Sequence, residues 1–202
     1  MELKVGYNEL MKRSHLLDPR VENKIKQIIF SDLINQQYGD CYKLHTQRMI
    51  SWVQIVSQEL GLCQSDQKVL ITAAYAYHWG CGNLYHQPFV HLDSIAKHKK
   101  KCFQLASSKI ERFLGYNLSR FFSQNEMLLI CNILEDQVKD ISKMSTLAVV
   151  LNESALIAWV EMLADNELSE EYLNQVEEYL ATSLSLVSNS VSKQILATFN
   201  EV

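Results

Sequence analysis

The chain has 202 residues, of which 48% are hydrophobic and 21% charged, with a net charge of -4 and a pI near 5.9. That is ordinary globular composition at a length that can bury a substantial core, and the slight acidity gives no overall electrostatic reason to hold nucleic acid or an anionic membrane. Only two prolines and six glycines interrupt it, so the expected class is all-α, a single compact multi-helix domain of long helices and short turns.

From the start, MELKVGYNELMKRSH lacks the unbroken apolar run of a secretion signal, and nowhere do eighteen apolar residues follow one another. A cytoplasmic protein is expected. Cys41, Cys63, Cys81, Cys102 and Cys131 are odd in number and show no C-x-x-C spacing, which reads as reduced thiols rather than a disulfide framework.

In residues 20–38, Val21, Ile25, Ile28, Ile29 and Leu33 form one helical stripe that QYGD then breaks. A second helix is predicted from Thr46, with His45 at its opening, Met49, Trp52, Val53, Val56 and Leu60 on its apolar face, and Gly61 ending it. A third starts near Ser65 or Asp66, carries Val69, Leu70, Ala73, Ala74 and Tyr77, and closes on His78. Cys81 to His98 has no clear period and contains Pro88, so it is the predicted rim of any pocket. Helices resume at Phe103, Ala106, Ile110, Phe113 and Leu114, then at Met127, Leu128, Cys131, Leu134 and Val138, and then at Leu147, Val150, Leu151, Ala155, Ala158 and Met162. Closing helices are predicted over 169–199, so the domain spans 1–202 with its core at roughly 20–165. No repeat or low-complexity linker divides it.

Three histidines, His45, His78 and His98, fall at predicted helix ends around the same irregular segment. Each alone reads as an ordinary half-buried imidazole; their order together says more. "YGDCYKLHTQRMISWVQIVSQELGL" and "DQKVLITAAYAYHWG" resemble the first two segments of the HD superfamily of metal-dependent phosphohydrolases: a His followed by Arg and a helix, then an alanine-rich helix ending in His-Asp. His45, Arg48 and His78 take the matching places, while Trp79 stands where the Asp belongs. "KHKKKCFQLASSKIERFLG" is similar to a segment with an additional metal-binding His, matched by His98. "STLAVVLNESALIAW" is similar to the segment with the last Asp, where Ser154 stands beside Glu153.

The resemblance implies an all-helical fold and a divalent metal, Zn²⁺, Mn²⁺, Mg²⁺ or iron, or none where the site is degenerate. Hard cations want carboxylate oxygens, and an indole N–H is a donor that cannot ligate. Its ligands here would be His45, His78 and His98, with Asp136 or Glu135, or Glu153 one register away, supplying the missing charge. Arg48 and Lys101 would contact phosphate. Trp79, at the pocket floor, would fill the space a metal would occupy. KHKKK also reads as a solvated charge run, Cys81, His98 and Cys102 as a weakly signalled zinc cluster, and Trp52 and Trp159 as core or pocket wall.

The expected function is therefore a divergent HD protein with weak or lost phosphohydrolase activity and a His-lined pocket for an anionic, phosphate or nucleotide-like ligand. The alternatives are an active enzyme with a rearranged site hydrolysing a phosphate ester, and a helical interaction module without a small-molecule site. A small phosphorylated ligand or a homodimer is the expected partner; nucleic acid and membrane are not.

Overall fold

The computed structural model describes residues 17–36, 39–81 and 92–164, with backbone alone at 92–99, 160, 163 and 164. The predicted closing helices over 169–199 lie outside them. The described residues are all-α, without a strand: α1 Pro19–Ile34, α2 Gly39–Glu59, α3 Gln64–Ala76, α4 Leu92–Phe113, α5 Gln124–Asp136 and α6 Thr146–Ala164. A π-helical turn, Leu114–Leu118, extends α4, and a 3-10 turn, Ile141–Lys143, precedes α6. No helix among them is long and apolar enough to cross a membrane.

Local chemistry sets most of the ends. Asp18 accepts the Arg20 amide at 2.8 Å and Pro19 opens α1, a first position where its missing N–H costs nothing. Gly61 stops α2 with φ of 64°, a left-handed conformation that side-chain-bearing residues resist. Ser123 and Glu126 close a reciprocal capping box on α5. Two expectations shift. Helix α2 begins at Gly39, not Thr46, so His45 sits inside it. Helix α4 begins at Leu92, which places His98 within a helix; the rest of the predicted rim, 82–91, lies outside the described residues.

Helix α6 is packed chiefly against α2, with α5 and α3 beside it, and α4 lies mainly on α5. Its burial on nearly every side, from Ala148 through Val150, Leu151, Ile157 and Ala158, makes it the centre of the core rather than a one-faced helix. Gln137, fully buried just past α5, donates its side-chain amide to the carbonyls of Ile133 at 3.1 Å and Ala148 at 2.9 Å, tying the end of α5 to the start of α6. Ile28, Leu128 and Val138, predicted on apolar faces, are 39%, 60% and 38% exposed, because their stripes are wider than the partners that cover them.

Candidate functional site

Helix α3 ends at Ala76, and the chain then turns through Tyr77 to Cys81 by short hydrogen bonds from Trp79 to Ala76 and from Cys81 to His78. The turn is pressed onto α4: a Cβ on Gly80 would stand 1.9 Å from the Cys102 carbonyl oxygen, so only glycine allows this approach. His78 is thereby swung inward toward α2, where His45 waits. The two histidines converge; the side chain of His98, the third expected in the same cavity, lies outside the described residues.

Both are buried, His45 completely. His45 Nε2 lies 2.9 Å from the Ala155 carbonyl of α6, and His78 Nε2 lies 2.8 Å from His45 Nδ1. A carbonyl only accepts, so His45 carries its proton on Nε2 and presents a bare Nδ1. That lone pair takes the proton of His78 Nε2–H, and His78 Nδ1 in turn becomes an acceptor facing Cys81 Sγ at 3.7 Å. The tautomers follow from the partners, and the chain has one direction, from Cys81 through His78 and His45 to Ala155.

Aromatic rings close the surroundings. Trp159 stacks on His45 with centroids 3.9 Å apart, and Tyr42 on His78 at 4.7 Å. Tyr77 meets His78 edge to face at 5.0 Å. Burial among them pushes the His45 imidazole down to about 3; the hydrogen bond with Ala155 opposes this and the nearby charge of Arg48 adds to it. Burial, and then the His45 ring, likewise hold His78 well below the ordinary histidine value. Both rings are neutral at pH 7.

Neutral imidazoles can bind metal, but only through free lone pairs, and here the facing nitrogens are joined by a proton. Two nitrogens sharing one tetrahedral metal at about 2.0–2.1 Å each would stand about 3.3 Å apart, wider than the 2.8 Å between His45 and His78. Among the described residues, the other implied ligands do not join them into a cluster. Asp136 is committed to Lys139 Nζ at 2.5 Å and to the Ser145 amide at 3.1 Å, a helix-start contact to α6. Glu135 accepts the Ser107 hydroxyl at 2.8 Å. Glu153 and Ser154 are fully buried on α6, and Ser154 Oγ has no hydrogen-bond partner among the described residues. The side chain of His98 lies outside the described residues, and so the suggested zinc cluster with Cys81 and Cys102 does too. Among the described residues no group of three or more His, Cys, Asp or Glu is placed to hold a metal, and as arranged they do not fit one.

Of the phosphate-contacting residues, Arg48 is half-buried and Lys101 is exposed on α4. Trp79 does not occupy the space beside the histidines. Its indole N–H donates to Asp32 Oδ2 on α1 at 2.7 Å, its ring stands edge-on to Phe113 at 5.9 Å, and Lys109 Nζ reaches its carbonyl at 3.1 Å. Trp159 fills the place beside His45 instead. Sequence reasoning overlooked Tyr42 and Cys81 as members of the cluster. Cys81 lies one turn after His78, a spacing that was there to be used, whereas Tyr42 reaches His78 from another helix and was not marked that way. The Ala155 carbonyl gave no such signal, since any residue has one.

The thiol–imidazole–imidazole order has the outline of a nucleophile, a base and an orienting group. Its chemistry is weak for that purpose: burial that lowers the basicity of His78 leaves no strong acceptor for a thiol proton. No family model, no curated protein and no solved structure matches the chain.

Proposed function

We propose that the chain is a divergent HD-like helical protein that has given up metal-dependent phosphohydrolysis and holds an anionic ligand without cleaving it. One contact carries this reading: the hydrogen bond between His45 Nδ1 and His78 Nε2, 2.8 Å long, consumes the lone pair that a metal would need. Supporting it, the residue after His78 is an indole donor turned toward Asp32, so the anchoring carboxylate of a hydrolytic metal centre has no replacement at that position.

The test is metal content and turnover on the same preparation. Elemental analysis is expected to find no stoichiometric Zn, Mn, Mg or Fe, and phosphate release from nucleotides and aryl phosphates is expected to stay at background with Mn²⁺, Mg²⁺ or Zn²⁺ added. Trp79→Asp is expected to take up no metal either, because the side chain at 79 points away from the histidine rings. Stoichiometric metal together with turnover abolished in His45→Gln would overturn the reading in favour of a rearranged but active site.

A further inference from the structure

Between α4 and α5 lies a half-open cavity of about 520 Å³, inside the size range of small-molecule sites. Lys100, Phe103 and Gln104 line it from α4, and Leu129, Asn132 and Glu135 from α5. It is separate from the histidine pair: Phe103 lines it, the Tyr77 ring lies 4.9 Å from Phe103, and His78 lies 5.0 Å from Tyr77.

The charges of its walls divide into spent and unspent. Asp136 and Lys139, also at its edge, satisfy each other at 2.5 Å. Lys100 and Glu135 do not: among the described residues neither has an oppositely charged group within ion-pair distance. One oxygen of Glu135 takes the Ser107 hydroxyl, which leaves the other open. Ser107, which holds Glu135, is two helical turns beyond Lys100 on α4, so the backbone positions of Lys100 and Ser107 are about 10 Å apart along the helix axis. The rest of the lining includes the apolar Phe103, Leu129 and Val138 and the neutral, hydrogen-bonding Gln104 and Asn132.

We propose that this cavity binds a small zwitterion of the amino-carboxylate class, its anionic group on Lys100, its ammonium on Glu135 and its apolar chain across Phe103, Leu129 and Val138. A plain anion would leave Glu135 facing it unmatched, and a plain cation would do the same with Lys100. The inference goes beyond the loss of hydrolysis and does not depend on it, since none of these residues touches the histidine chain.

The experiment titrates the full-length protein with ε-aminocaproate, caproate and hexylamine, following backbone amide shifts by NMR. Binding of ε-aminocaproate is expected, with shifts centred on residues 100–107 and 129–138, and the two singly charged analogues are expected to bind about tenfold more weakly or worse. Lys100→Glu and Glu135→Lys are each expected to weaken ε-aminocaproate about tenfold, and the double exchange to recover binding, with circular dichroism confirming that each variant is folded. Equal binding of all three compounds, shifts centred elsewhere, indifference to the charge exchanges, or no binding up to roughly 10 mM would each sink the proposal. Phosphate release in the turnover assay bears on the loss of hydrolysis alone, so the two can fail separately.

Discussion

His45 and His78 are folded as neutral rings, and unfolding returns them to water, where an imidazole titrates near 6.5. Their folded values are depressed, His45 to about 3, so below pH 6.5 the unfolded chain binds protons that the folded one refuses. The sign is fixed: stability is full above about 6.5 and is lost as the pH falls toward 3, at up to about 1.4 kcal/mol per pH unit for each histidine. Among the described residues the groups facing the pair are Arg48, Tyr42, Tyr77, Trp159, the Ala155 carbonyl and the Cys81 thiol, and none of these supplies a negative charge that would reverse it. Urea midpoints measured at pH 7, 6 and 5 are expected to fall in that order. His45→Gln, whose amide can donate to Ala155 and accept from His78, is expected to flatten the slope and to cost less than His45→Ala. Trp79→Phe keeps the ring against Phe113 but drops the bond to Asp32, and is expected to cost about 1 kcal/mol in chemical denaturation. At this scale the sequence was half legible. The order of His45 and His78 along the chain pointed to their pairing although His45 lies inside α2 and not at its end, whereas the direction of Trp79 could not be read, because Asp32 lies on a helix far away along the chain.

Helices are decided by their ends and by how closely they approach. Gly80→Ala is expected to lower the melting temperature sharply, since its new methyl meets α4 backbone at Cys102 and not a side chain that can move aside. Ser123→Ala, which removes half of the capping box on α5, is expected to cost about 1 kcal/mol. The stripes of apolar residues located every described helix, and Gly61 marked a stop correctly. Two starts were misplaced for a common reason. Gly39 and Asp40 resemble breakers, and residues up to His98 show no clear apolar period, yet the backbone is helical from Gly39 and from Leu92.

For the whole molecule, the all-α class followed from scarce breakers and persistent three-and-four spacing, both of which are local properties. The site depended on contacts that span the chain, such as the bond between His45 and Ala155, 110 positions apart; these are invisible to periodicity. Because α6 is enclosed by α2, α3 and α5, Ile157→Ala at its centre is expected to cost about 2–5 kcal/mol. Chelators test the molecule in the opposite sense. A metal bound only by the folded state would raise its stability by mass action, so EDTA is expected to leave the melting temperature unchanged, and a fall of several degrees would point to a bound ion.

The hydrogen-bond chain through the two imidazoles has one further consequence. A relay conducts when a proton added at one end can be released at the other, but this one terminates on a peptide oxygen of α6, which has none to give and nowhere to send one. The array is a cul-de-sac for protons, able to remember an orientation and unable to carry a current. Its ring nitrogen resonances should therefore stand still from pH 8 down to pH 5, while ordinary surface histidines in the same spectrum move.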